Sequence, residues 1–182
     1  MLINKKTLMK ILNFQLGLGE DEINYALEVA KLLTSPERTV ELNKILAKCM
    51  RRGWVDGALS TVDLLNRKLT PVELNKILAK CVRRGWVRDA RLTVGLLNRK
   101  LTPVELNKIL AKCVRRGSLS SAMTIVMLMD KPDRTVGLNK ILAKCLIMSN
   151  CYGRGDWDNY ALEVAKLLTS PEIAKKLFRK IL

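Results

Sequence analysis

Histidine is absent from the 182-residue chain, which removes the commonest general base and the commonest metal ligand. Aromatic residues are only 4% of the composition, so a core must be built from leucine, isoleucine, valine, alanine and methionine. No apolar run approaches the roughly 20 residues that a membrane-spanning helix needs. A glycine-rich phosphate loop, a GxSxG elbow and a metal-spaced ligand set are also missing from the sequence, and with them the usual signatures of catalysis. Carboxylates do cluster at Glu20, Asp21 and Glu22, and again at Asp156 and Asp158. Both clusters precede a second helix, where acids stabilise the helix dipole. The expectation is a protein that is not an enzyme and needs neither metal nor cofactor.

Acids are scarce as well: 17 against 33 lysines and arginines, for a net charge of +16. An excess of this size points to a polyanionic partner, nucleic acid first and an acidic protein or anionic surface second. Of the five cysteines, Cys49, Cys81, Cys113 and Cys145 are spaced 32 residues apart, and Cys151 follows. That spacing reports duplication and not ligation. Packed helices lie about 8–10 Å apart while disulfides need Cα atoms within about 7 Å, so all five are read as buried reduced thiols in a reducing compartment. The N-terminal stretch to Gly19 is amphipathic and has no acid before Glu20, but it lacks arginine and aligns with the repeat described next. It is therefore read as a first helix and not as a cleaved leader.

Residues 64–85 and 96–117 are the same 22-residue string, LLNRKLTPVELNKILAKCVRRG. The core LNKILAKC begins at Leu42, Leu74, Leu106 and Leu138, a weaker copy LMKIL begins at Leu8, and NYALEVAKLLTSPE occurs at 24–37 and 159–172. These strings define units at roughly 3–35, 36–68, 69–100, 101–131 and 132–170, with a capping helix at 171–182. Each unit reads as two helices. Thr70-Pro71-Val72-Glu73 and Thr102-Pro103-Val104-Glu105 are capping-box starts, and Gly53, Gly85 and Gly117 suit left-handed C-caps. Second helices follow, with Ala26, Ala58, Ala90, Ala122 and Ala161 at one equivalent position, small enough for close packing on the first helix. The first and fifth units carry longer turns, the fifth around Asn150 to Asp156. A right-handed, all-α solenoid of about five helix-turn-helix units is expected, forming one repeat domain over 1–182.

At 100° per residue, Leu42, Ile45, Leu46 and Cys49 share a packing arc, and Lys44, Lys48 and Arg51 fall within about 60° of one another on another arc. The pattern returns with Lys76, Lys80 and Arg83, with Lys108, Lys112 and Arg115, and with Lys140 and Lys144, before Ile147 breaks it. Stacked units would bring these eleven cations into three parallel ladders, with Arg52, Arg84 and Arg116 as a rim. Nearby acids are few, namely Glu41, Glu73 and Glu105 close to the helix starts. The ladders are therefore the candidate nucleic-acid-binding residues. Trp54, Trp86 and Trp157 lie at or near the turns and are read as plugs between adjacent units rather than as base-stacking platforms.

The stretch VELNKILAKCVRRGWVRDA (72–90) resembles the first helix and turn of pentatricopeptide repeats, with Asn75, Ile77, Leu78, Gly85 and Ala90 matching in order and spacing, and Asn43, Asn107 and Asn139 recurring in the other units. The resemblance, shared in part with tetratricopeptide arrays, implies an RNA-binding array lined by first helices, with bases met by the residue after that asparagine. Here that residue is Lys44, Lys76, Lys108 or Lys140. Four identical lysines suit phosphates, whose contacts fix position and carry no sequence information. The expected partner is RNA, single-stranded or structured, within a ribonucleoprotein such as an organellar ribosome. A mitochondrial or other organelle interior is favoured over the cytoplasm. The alternative is a scaffold that holds an acidic protein in the same groove.

Overall fold

The computed structural model describes residues 7, 8, 10–12, 22–152 and 156–168. Among them the chain is helical and contains no strand. It divides into two compact units, residues 1–81 with 88–100, and residues 82–87 with 101–182. The expected cap at 171–182 lies outside the described residues, as do Glu20 and Asp21.

In the first unit, α1 (Ile23–Lys31) packs on α2 (Ser35–Arg52) and α3 (Val55–Leu64), and α2 packs on α3. The unit also holds most of α4 (Pro71–Arg84) and α5 (Val87–Leu96). The second unit contains α6 (Pro103–Arg116), α7 (Leu119–Met127), α8 (Lys131–Tyr152) and α9 (Asp156–Leu167). There α6 packs on α7 and α8, α7 on α8, and α8 on α9. Helix starts follow the local chemistry. Thr102 accepts from the Glu105 backbone N–H at 3.2 Å while the Glu105 carboxylate accepts from the Thr102 N–H at 2.8 Å. Thr70 and Glu73 form the same reciprocal box, at 3.3 and 2.9 Å. Helix ends follow it too. Gly53, Gly85 and Gly117 have φ of 82, 72 and 74°, where a Cβ is costly. The second helices end differently from this, on Asn66 and Asn98, both at φ 52°. Arg67 and Arg99 close these ends by donating backbone N–H groups to Val62 and Val94.

Leucine and isoleucine of each first helix, with the cysteine, are buried at Leu42, Ile45, Leu46 and Cys49 and at each 32-residue equivalent through Cys145. All five repeat alanines are buried too, consistent with close helix approach. The Cys81 thiol donates to the Gly53 carbonyl at 3.5 Å, and Cys113 makes the same bond to Gly85 at 3.7 Å. The repeat cysteine thus pairs with a carbonyl of the preceding turn, left over at a helix C-terminus. Burial pushes the Cys113 thiol up and the Cys145 thiol to about 11. All five thiols are free, but Cys151 is exposed, contrary to the expectation that every cysteine is buried. It sits on the last turn of α8, beyond the repeat pattern that buries the other four.

Two first helices are longer than expected. Helix α2 starts at Ser35 because Thr34 and Glu37 supply an earlier start, with the Thr34 hydroxyl donating to Glu37 at 2.8 Å. Helix α8 continues to Tyr152, so part of the expected Asn150–Asp156 turn is helical. The reason is that Ser149 replaces the glycine that ends the other first helices. Ser149 instead donates to Asp158 of α9 at 2.6 Å.

The Arg67–Glu73 pair ties the end of one second helix to the next first helix, with Nη1 donating to Oε2 at 2.9 Å and Nη2 to Oε1 at 2.7 Å. The arginine hydrogen bonds, aided by Thr70, hold the Glu73 carboxyl at about 2 instead of its ordinary 4.5. A carboxyl depressed on folding stabilises the fold above its unfolded value and loses that contribution as pH falls toward 2. With side chains 35 and 16% exposed, the pair contributes about 1–2 kcal/mol once screening is allowed for. Replacing Arg67 by Met should therefore lower thermal stability at pH 7 and narrow the difference from wild type between pH 4.5 and 2. Parallel stability–pH curves for the two proteins would refute this.

Candidate functional site

The four first helices repeat one pattern of exposure. Asn43, Lys44 and Ala47 are exposed, as are Asn75, Lys76 and Ala79, then Asn107, Lys108 and Ala111, then Asn139, Lys140 and Ala143. Arg51, Arg83 and Arg115 are exposed at the C-terminal ends. Lys48, Lys80, Lys112 and Lys144 are half-buried throughout. The eleven candidate cations therefore form two classes, an exposed one and a half-buried one.

Helix geometry accounts for the division. Lys48 lies about 60° from Ile45 around the axis, next to the packing arc, whereas Lys44 and Arg51 lie farther round. Its equivalents must bury their methylene stems to keep the ammonium in water. At Gly85 a Cβ would lie 2.9 Å from Cβ and Cγ of Lys112, so the stem of that lysine lies against the turn. The Lys48 ammonium sits 5.7 Å from the Trp54 ring, and Arg52 sits 6.0 Å from it. Burial first, then the positive charges of Arg52 and Arg51, push Lys48 below the ordinary lysine value.

Few of the cations are neutralised by carboxylates. Among the described residues, no carboxylate lies within ion-pair distance of Arg51, Lys76, Arg83, Lys108, Arg115 or Lys140. Lys44 is different: it pairs with Glu41 at 2.7 Å. Glu41 was expected at a helix start, but the earlier beginning of α2 puts it a turn and a half inside, where it is buried. Its second oxygen has no partner. Glu73 and Glu105 are occupied by the capping boxes, and Gly137 replaces the glutamate in the fourth helix. The rim arginines are also partly engaged. Arg116 donates to the Arg84 carbonyl at 2.9 Å, and the Arg84 guanidinium lies 4.7 Å from the Trp86 ring. Trp54 is buried and Trp86 and Trp157 are half-buried, consistent with packing at the turns.

Charge counting overlooked the apolar part of this face. Val40, Val72, Val104 and Val136 are 52–64% exposed and recur every 32 residues. Each lies between the lysine and the asparagine of its helix in angle. The signal was present in the sequence as a valine outside the packing arc in each of the four units that carry LNKILAKC. Each of these four helices thus exposes a mixed set of valine, amide, alanine and cation.

No helix among the described residues is long and apolar enough to cross a membrane. No family model matches the chain, and no curated protein or solved structure is significantly similar to it.

Proposed function

We propose that this chain is a non-catalytic RNA-binding protein of the pentatricopeptide-like kind, a right-handed solenoid of five helix pairs that holds RNA phosphates along its first helices. The observation that carries the reading is the recurrence of exposed cations at Lys76, Lys108 and Lys140 and at Arg51, Arg83 and Arg115 that, among the described residues, have no carboxylate within ion-pair distance. Uncompensated like charges repel one another, and a bound polyanion relieves that repulsion. Thiol-to-turn bonds repeated at one spacing in each compact unit support a regular stack. Lysine in every equivalent position supports phosphate contact over base readout. A structural place in a ribonucleoprotein, such as an organellar ribosome, fits such a surface.

Affinity for a labelled single-stranded RNA, measured by fluorescence anisotropy across a salt series, tests the proposal. Neutralising about six phosphates predicts a log–log slope of about −4. Affinity independent of salt would sink it. The exposed valines favour a second reading, a scaffold in which the same face holds an acidic protein. Partners that remain bound after nuclease treatment would support that reading.

A further inference from the structure

Lys44, Lys76, Lys108 and Lys140 each stand three residues after one repeat position, which is Glu41, Glu73, Glu105 or Gly137. In three of the four helices that position leaves the lysine alone. Glu73 and Glu105 lie in the first turn, where their carboxylates accept from the Thr70 and Thr102 backbone N–H groups at 2.9 and 2.8 Å. Arg67 holds Glu73 as well. Gly137 has no side chain, and a Cβ there would stand 2.7 Å from a Val126 methyl. Glu41 is the exception. Helix α2 starts at Ser35, so its first-turn acid is Glu37, and Glu41 has no helix start to cap. Its carboxylate pairs with Lys44 at 2.7 Å.

This pair is not an ordinary surface ion pair. The Lys44 side chain is 56% exposed, but that of Glu41 is only 3% exposed. Two exposed partners part at little cost when another ion competes. A buried carboxylate that loses its cation is left uncompensated, which costs far more. Glu41 already has no partner for Oε2, and Lys44 is the one cation within ion-pair distance of it among the described residues. Lys44 is therefore held. The helix architecture does not require the pair. Helix α8 opens as α2 does: Arg134 donates to the Met127 and Met129 carbonyls as Arg38 donates to those of Lys31 and Leu33. At the position of Glu41, α8 has glycine, and Lys140 has no carboxylate within ion-pair distance among the described residues.

We infer that Glu41 is an internal competitor of the bound polyanion: its buried carboxylate occupies Lys44 as a phosphate would, and so withholds one phosphate contact from the first helices. The inference rests on the proposed RNA reading. Lys76, Lys108, Lys140, Arg51, Arg83 and Arg115 carry that reading, and a released Lys44 adds one contact to theirs. Each phosphate neutralised on a single strand adds about 0.7 to the salt slope, so the withheld contact has a countable signature.

The test uses the full chain and a labelled single-stranded RNA, followed by fluorescence anisotropy across a salt series. Glu41→Gln keeps the shape and removes the charge. It should tighten binding about fivefold at about 50 mM salt and steepen the log–log slope by about 0.7. Lys44→Gln, whose amide can still donate to Glu41, should stay within about twofold of wild type. Lys76→Gln makes the same change in net charge and should weaken binding about fivefold. The double variant Glu41→Gln with Lys44→Gln should return to wild-type affinity and slope. Glu28→Gln controls for net charge on the other side: Glu28 forms an exposed pair of the same spacing with Lys31, and its loss should change affinity by no more than about twofold. Glu41→Met, apolar and of similar length, serves if Glu41→Gln does not fold. Wild-type affinity in Glu41→Gln, or a gain that Lys44→Gln does not reverse, would overturn the inference and leave the RNA reading standing. No salt-dependent RNA binding by any of these proteins would remove both.

Discussion

Reversing Lys76, Arg83, Lys108 and Arg115 to glutamate should reduce RNA affinity by a hundredfold or more, on the order expected when four of about six phosphate contacts become repulsive. The salt slope should fall from about −4 toward −1 at the same time, since each lost contact removes about 0.7 from it. The four were chosen because all are exposed and none has a carboxylate within ion-pair distance among the described residues. Exposed substitutions of this kind change stability by about 0.5 kcal/mol or less each. Helicity by circular dichroism should therefore be retained. A matched set at Lys48, Lys80, Lys112 and Lys144 is a poorer probe. Those residues are half-buried, and the Lys112 stem lies on Gly85, so shorter acidic side chains there disturb packing as well as charge. An exposed-set variant that binds RNA as wild type does would remove the phosphate reading.

The same comparison shows which parts of this molecule could be read from its sequence. Helix starts at Pro71 and Pro103 and stops at Gly53, Gly85 and Gly117 were legible because each depends on a few adjacent residues, and the repetition presents the same local rule several times. The packing arc of Leu42, Ile45, Leu46 and Cys49 was legible for the same reason. Three features were not. The exposed valines were passed over because a search for charge assigns apolar residues to the core by default, although Val72 falls outside the arc of Leu74, Ile77 and Leu78. The division between exposed and half-buried lysines needs the neighbouring turn, since what covers the Lys112 stem is Gly85, 27 positions away. The burial of Glu41 followed from an earlier helix start at Ser35, where a second capping signal, Thr34 with Glu37, competes with the unit boundary that the repeats suggest.

Gly85 is also a place where a single methyl should have a large effect on stability. Gly85→Ala meets two separate costs. The left-handed conformation, φ 72°, costs a residue with a Cβ about 1–2 kcal/mol. The new methyl would then stand 2.9 Å from Cβ and Cγ of Lys112, atoms next to the backbone that cannot swing aside as a side-chain tip can, adding about 1–3 kcal/mol of overpacking. Together these predict a loss of about 2–5 kcal/mol. Gly117→Ala is the internal control. It shares the conformation, φ 74°, but among the described residues its Cβ meets only the Trp157 ring, at an ordinary 3.4 Å, so it should lose only the first part, about 1–2 kcal/mol. Thermal unfolding of the two variants should rank Gly85→Ala clearly below Gly117→Ala. Equal losses would mean that the Lys112 stem yields freely, and with it would go the explanation offered for the half-buried class of lysines.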